Sequence, residues 1–263
     1  MLKTFSNKTI SPKAFGYDSD AQAYMNACQD PFTFSQKNAI ENGFIALKAG
    51  NNNFSLIERC YLFSNAGRPN SLVSLKNPTG TKAAEVASPA LTWTSAGFTS
   101  DGSTSYINTN FNPRTDSIAI TKNSVCVFWY CNTDVQDSKV DWGCYDGTNA
   151  TNNYVNTRFT DDHLYAGIFS GDEPDFGSNT DSRGFYALEV IGTTASVYKN
   201  GVLFGTHSLS IGTQMPNLNF YVCGFNFEDA SVQSLTTRQQ SLWGIAASGI
   251  NHSELYNAFL LML

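Results

Sequence analysis

The hydrophobic pattern changes period once along the chain, near residue 54. Before it, apolar residues recur every three or four positions. In "SDAQAYMNACQ", Ala21, Tyr24, Met25 and Cys28 follow at i, i+3, i+4 and i+7, the spacing of one helical face. Ser19, with Gln22 three residues on, is the expected capping box. "DPFTFSQKNAIENGFIALKAGNN" repeats the design: Thr33 or Ser35 caps, Ile40, Phe44 and Leu47 share a face, and Gly50 with Asn51 stops the helix.

After residue 54 the period is two and the punctuation becomes Gly, Asn, Asp and Ser. "RCYLF", "SLVSL", "SYINT", "SIAIT", "SVCVFWYC", "VDWGCY", "NYVNTRF", "HLYAGIF", "FYALEVIG", "ASVYK", "VLFGTH", "LNFYVCG" and "SLWGIAA" read as strands. So many short strands with regular turns predict a sandwich or a closed antiparallel architecture. Asn200-Gly201 between two β-rich runs is the favoured type I′ hairpin pair. "SVCVFWYC" is apolar throughout, as a central strand covered on both faces requires. The chain closes on "GINHSELYNAFLLML", a helix with Asn251 as cap, Glu254 at the capping-box position, and Leu255, Phe259 and Met262 on one face. The expected organisation is an N-terminal helical segment, residues 1–53, packed on the sandwich or used for attachment, and a β-sandwich over residues 54–263.

Composition narrows the function. Hydrophobic residues make up 41% of the 263, enough for a full core, while charged residues are only 14%, below the roughly 25% usual for soluble domains. Asn, Ser, Thr and Gly fill the surface instead, which suits neutral ligands or packing in an assembly. A net charge of −6 with no basic stripe argues against nucleic acid. The first residues, "MLKTFSNKTISPKAF", have no apolar h-region, and no run approaches 18 apolar residues, so neither a signal peptide nor a membrane span is expected. The six cysteines read as reduced, small hydrophobes. Cys126 and Cys131, five apart on one strand, point to opposite faces about 16 Å apart and neither bridge nor share a metal.

Several motifs occur in a characteristic order: "DAQAYMNACQ…AIENGFIALK", "IERCYLF", "SLVSLKNP", "LTWTSAGFTSDGSTSYINTNFNP", then "VYKNGVLFG" and "INHSELYNAF". In these the chain resembles a family of tailed-bacteriophage virion proteins found among crAss-like phages and their relatives. Their β part is similar to the laminin-G and concanavalin A-like jelly roll. The chain departs from the family's pattern at "AGNNNFSLIERCYLF", where a tryptophan-bearing segment is expected, and in its shorter final helix. The resemblance implies a mainly β fold, an antiparallel jelly-roll sandwich with helical ends. It also implies a place in the virion as a fibre, tail or capsid appendage, made in the bacterial cytoplasm without a signal peptide. Its implied partners are other virion proteins, further copies of itself in a trimer, and host-surface polysaccharide.

The chemistry of a catalyst is thin. Concanavalin-like glycosidases carry E-x-D-x-E on one strand so that alternate carboxylates share a face; no such pattern occurs. There is no G-x-S-x-G elbow, P-loop, G-x-G-x-x-G or H-E-x-x-H. Of three histidines, His252 falls in a helix cap and His207 in an exposed hairpin strand. The protein is therefore expected not to be an enzyme, with a polysaccharide-active hydrolase or lyase as the alternative. "GDEPDFG", with Asp172, Glu173 and Asp175, reads as a solvated turn, with a calcium ion or sugar hydroxyls as the functional alternative; Asp101 is a further calcium candidate. "FTDDHLY", with Asp161, Asp162 and His163, reads as another turn. No cofactor other than calcium is expected. Sugar binding uses exposed rings that stack on pyranose C–H groups beside amides and carboxylates that fix hydroxyls. The candidates are Trp142, Tyr145, Asp146 and Tyr154 in "DWGCYDGTNATNNY", read as a Gly/Asn-rich loop, together with Asp172, Glu173, Asp175 and Phe176; Phe225 and Phe227 in "GFNFED" are a further pair. The sequon Asn149-Ala150-Thr151 carries no information without secretion.

Overall fold

The computed structural model of the protein describes residues 16–64, 68–86, 90–147, 151–229 and 231–263. The described chain opens with helices α1 (Ser19–Ala27) and α2 (Phe34–Lys48) and the single turn α3 (Asn53–Leu56). Strand β1 (Ile57–Leu62) and the turn α4 (Arg68–Ser71) follow, then short strands β2 (Ala84–Val86), β3 (Thr92–Thr94), β4 (Gly97–Thr99) and β5 (Tyr106–Asn108). After the turn α5 (Pro113–Asp116) come the long strands β6 (Ser124–Cys131), β7 (Trp142–Asp146), β8 (Thr151–Asn156) and β9 (His163–Ser170). The chain continues through β10 (Asp175–Ser178), β11 (Gly184–Ile191), β12 (Thr194–Lys199) and β13 (Val202–Ser208). Short β14 (Tyr221–Val222), β15 (Phe225–Phe227) and β16 (Ser231–Gln233) precede β17 (Gln240–Ala246) and helix α6 (His252–Leu260).

These strands form two sheets. The first runs β13-β12-β11-β6-β17-β4-β3, with β1 also on β17; the second runs β10-β9-β8-β7-β14-β5-β2. All pairs are antiparallel except β15, which lies parallel to β7 and carries β16 on its other side. Period-two alternation explains the core between the sheets. Val125, Val127, Trp129 and Cys131 of β6 face Trp142 and Cys144 of β7, Val155 of β8, and Leu164, Ala166 and Ile168 of β9. Trp129 stacks on Tyr186 at 5.4 Å and meets Trp142 edge-on at 5.7 Å. Each such fully buried side chain contributes about 1.5–3 kcal/mol of burial energy.

The continuous apolar run of β6 has its explanation on the other face. Cys126 and Phe128, with Phe185, Ala187 and Leu242, form a second core against Tyr24, Phe44, Leu47, Leu255 and Phe259 of the helices. Cys126 and Cys131 therefore lie in different cores, as the strand period requires, and all six cysteines are free. A three-helix layer thus covers the outer face of the first sheet. Residues 1–15 of the expected helical segment lie outside the described residues. Among the described residues no helix is long and apolar enough to cross a membrane.

Local expectations fare unevenly. Asn200 and Gly201 both have positive φ, 52° and 79°, as a type I′ hairpin needs. Thr33 and Gln36 form a reciprocal capping box, and Asn251 accepts from the Glu254 amide. The Glu254 carboxylate, however, turns to the Asn51 amide at 3.2 Å, where α2 ends. Asp18, not Ser19, caps α1, accepting from the Asp20 and Ala21 amides. "SLVSL" and "SIAIT" are not strands. In the second, the Glu58 carboxylate accepts the backbone amides of Ile118 and Ile120, donors that a ladder would otherwise use.

Candidate functional site

Among the described residues, helices close the outer face of the first sheet and none covers that of the second. Three strands and one parallel neighbour set its residues. On β7, Trp142 and Cys144 point inward, so Gly143 and Tyr145 point out. On β8 the outward positions are Asn152, Tyr154 and Asn156, around inward Asn153 and Val155; on β9 they are Tyr165 and Gly167. The register brings Gly143 opposite both Tyr154 and Phe225, and Tyr145 opposite both Asn152 and Phe227.

The result is a groove of about 600 Å³ whose lining includes six aromatic rings. The rings come in pairs. Tyr145 stacks on Phe227 with centroids 5.0 Å apart and planes at 21°. Tyr154 meets Phe225 edge-on at 5.9 Å, and Tyr165 meets Phe159 edge-on at 5.4 Å. Gly143 makes room for the Tyr154–Phe225 pair. A Cβ there would stand 2.5 Å from the Asn153 carbonyl oxygen and 2.8 Å from both the Phe225 ring and Tyr154 Cβ.

Polar groups are interleaved with the rings. Asn152 Nδ2 donates to Glu173 Oε1 at 3.1 Å, and the Tyr154 hydroxyl also hydrogen-bonds Glu173. Partial burial and that carboxylate together hold the Tyr154 phenol far above its ordinary range. Tyr165 donates its hydroxyl to Asp161 Oδ2 at 2.9 Å, which, with partial burial, raises its phenol as well. Asn156, on the floor, donates to the Asp137 carbonyl at 3.2 Å. Glu173 reaches the rim because Gly167 leaves room beneath its loop: a Cβ at Gly167 would lie 2.6 Å from the Asp172 carbonyl oxygen.

Of the residues singled out in the sequence, Tyr145, Tyr154, Glu173, Phe225 and Phe227 come together here. Trp142 does not: it is 0% exposed and packs edge-on against Trp129 and Phe220. The strands expected at "VDWGCY" and "NYVNTRF" form and pair, so these aromatics lie on strands and not in a loop, and alternation sends Trp142 inward while Tyr145 goes out. Asp146, 8% exposed, is structural, accepting from the Asn217 amide at 2.9 Å with Arg114 at 3.6 Å. Phe176 is buried at 6% exposure beside His207, because the second half of "GDEPDFG" is the edge strand β10 and not a turn. Asn149 and Ala150 of the sequon lie outside the described residues.

The calcium candidates are committed to protein donors. Asp172 Oδ2 accepts the Ser210 amide. Asp175 Oδ2 lies 2.7 Å from His163 Nδ1, a contact that raises the His163 pKa. Asp101 Oδ1 accepts the amides of Ser103, Thr104 and Ser105 at 2.8–3.0 Å. Burial opposes its ionisation, but these donors together outweigh it and keep the Asp101 carboxyl far below the usual carboxylate range. Calcium asks for six to eight oxygens, and among the described residues no group of three or more His, Cys, Asp or Glu side chains is placed to hold a metal ion. His252, the first residue of α6 after its Asn251 cap, is 6% exposed and lies 3.0 Å from Glu189.

The two facing antiparallel sheets define the chain as a jelly-roll β-sandwich, a fold it shares with solved structures. Domain 4 of AbnA, an extracellular GH43 arabinanase from Geobacillus stearothermophilus solved with arabinotriose, superposes with a TM-score of 0.52 at 14% identity, over 77% of this chain and 98% of that domain. The Trypanosoma rangeli sialidase in complex with sialic acid gives 0.54 at 12% identity, over 78% of this chain and 33% of the sialidase. A botulinum neurotoxin type C structure, whose subject is cell entry through two ganglioside molecules, gives 0.53 at 11%, over 81% of this chain and 52% of that one. At these identities the likeness shows the fold alone. No protein-family model matches the chain, and no curated protein matches it in sequence.

Proposed function

We propose that the protein is a glycan-binding component of a tailed-bacteriophage virion, a fibre, tail or capsid appendage, and that the open face of its second sheet grips host-surface polysaccharide. One observation carries the binding half of this reading: six rings and two asparagine amides line a single groove on the uncovered face of the sandwich. Ring faces take the C–H surfaces of a pyranose, while Asn152, Asn156 and the tyrosine hydroxyls offer donors and acceptors for its hydroxyls. AbnA domain 4, a neighbour matched over 98% of its length, is solved in complex with arabinotriose, which supports the reading. The virion half rests on the resemblance of the chain's ordered motifs to phage virion proteins, which also implies assembly with other virion proteins and a homotrimer.

Binding without turnover is the favoured form. Glycoside hydrolysis uses two carboxylates, about 5–5.5 Å or 6.5–9.5 Å apart. Among the described residues lining the groove, Glu173 is the one carboxylate.

The test is a glycan array followed by calorimetry on the bound glycan, with Tyr145→Ala and Tyr154→Ala beside the unaltered protein. Each variant is expected to weaken binding about tenfold or more, the loss of one stacking ring. Unchanged affinity in both, or release of shortened sugar, overturns the reading. Cryo-electron microscopy of the particle and light scattering of the purified chain test the virion location and the trimer.

A further inference from the structure

Rings and amides take any sugar. The charge around them does not, and it carries the argument one step further. Glu173 is exposed at the rim of the groove, and two neighbours fix its position: the Asn152 amide at 3.1 Å and the Tyr154 hydroxyl. A carboxylate has about four acceptor positions, so these two donors leave others free. Two further carboxylates stand nearby. Asp161 is held to the hydroxyl of Tyr165, and the Glu228 side chain lies against Gly147, beyond the Tyr145 end of β7.

One cationic side chain stands by: His163, whose ring stacks on Tyr165 at 6.5 Å and which acts on Asp161, is paired with Asp175 at 2.7 Å. Among the described residues lining the groove there is no Lys or Arg. Arg158, which precedes Phe159, is spent on Asp134 and Asp162 at 2.8 and 2.7 Å. Lys139 follows Ser138 but is not part of the lining. The faces of six aromatic rings, negative by their quadrupoles, add to the same sign.

We propose that this groove selects saccharides bearing a cationic amine, with Glu173 as the counter-charge and the rings of Tyr154 and its neighbours as the walls of the ammonium pocket. The proposal rests on the reading of the groove as a glycan site and names the ligand class within it. A protonated amine donates charge-assisted hydrogen bonds to the free positions of Glu173, while the carbons beside it pack on ring faces. An N-acetylated sugar forfeits the charge. A uronate or sialate places like charge against Glu173 and is rejected.

Calorimetry on the full chain separates the cases with three probes of equal length: a glucosamine tetramer, an N-acetylglucosamine tetramer and a galacturonate tetramer, near pH 6 and at low salt. The glucosamine tetramer is expected to bind about tenfold more tightly than its N-acetylated form, with the galacturonate weakest. Raising the salt to about 0.5 M, or the change Glu173→Gln, brings the aminated-to-acetylated ratio toward one. Thermal melting of E173Q verifies that the variant is folded. If the N-acetylated tetramer binds as tightly as the aminated one, or if the ratio survives E173Q, the amine selectivity is overturned while the glycan site stands. If no probe binds and a broad glycan array is also blank, the glycan site falls and the selectivity with it.

Discussion

Arg238 Nη1 lies 3.1 Å from Asp141 Oδ2, and both side chains are 0% exposed. The guanidinium also donates to the carbonyls of Val135 and Arg158 and to Asp137 Oδ1, at 2.6–3.0 Å. Asp141 in turn accepts the Thr157 amide and Gln240 Nε2, each at 2.9 Å. This network ties the 135–141 segment, which supplies Ser138 and Val140 to the groove, to the end of β8 and the start of β17. Breaking one side of a buried pair strands the other charge, so Arg238→Met should cost about 3–5 kcal/mol. R238M with Asp141→Asn removes both charges and should recover part of that loss. Urea unfolding of the single and double variants measures it. A double variant less stable than the sum of the two single changes would show that the network is not coupled in this way.

Gly143 lies against the Tyr154–Phe225 ring pair, and no Cβ fits there without a shift of the Asn153 backbone or the Phe225 ring. Gly143→Ala should therefore destabilise the fold by about 1–3 kcal/mol through overpacking. It should also lower sugar affinity, since the ring pair must open. Chemical denaturation and calorimetry on one preparation read both effects. Normal stability with normal binding would mean that the slot is not needed.

Much of this fold is written in the chain's periodicity, because a strand's burial follows alternation of side chains and needs no knowledge of its partner. "SVCVFWYC" announced a strand buried on both faces, and Asn200-Gly201 announced a hairpin. "SIAIT" misled because the Glu58 side chain, about sixty residues away in sequence, takes up its amides. The site was harder. Glycine and asparagine in "DWGCYDGTNATNNY" look like loop residues, yet here Gly143 is a packing requirement and Asn152 a groove residue on paired strands. No local signal marks Phe159 as a groove residue, whereas the outward phase of "HLYAGIF", shared by Tyr165 and Gly167, marks Tyr165. Phe225 and Phe227 join the site through the parallel pairing of β15 with β7, a long-range fact that no local pattern records.

Acid should loosen the helical layer at one identifiable joint. Glu189 on β11 accepts the amides of Gly249 and Ile250 and lies 3.0 Å from His252 Nε2 at the start of α6, where Tyr198 stacks on the imidazole. Burial opposes the Glu189 charge, but His252 and the two amides outweigh it and lower the carboxyl's pKa. A carboxyl with a lower pKa folded than unfolded binds fewer protons in the native state. Its stabilisation is therefore complete above the unfolded value of about 4.3 and fades as pH falls through the folded value. Glu189→Gln should cost about 1–3 kcal/mol at pH 7, and the gap to the unaltered protein should shrink below about pH 4. Urea midpoints between pH 3 and 7 provide the comparison. A gap that stays constant across that range would remove Glu189 as the acid-sensitive group.

Trp142 and Tyr145, three positions apart on one strand, divide stability from binding. Trp142 is fully buried between Trp129 and Phe220, so Trp142→Ala should cost about 3–5 kcal/mol. At a temperature where the variant is still folded, the groove rings keep their register and sugar affinity should change little. Tyr145 faces outward against Phe227, half-buried. Tyr145→Ala should cost only about 1 kcal/mol of stability but lower affinity about tenfold. Thermal melts and calorimetry on the two variants give a crossed pattern if the sheet is read correctly. Strong loss of binding in W142A with full stability would place the ligand against the inner face, where the two sheets leave it no room.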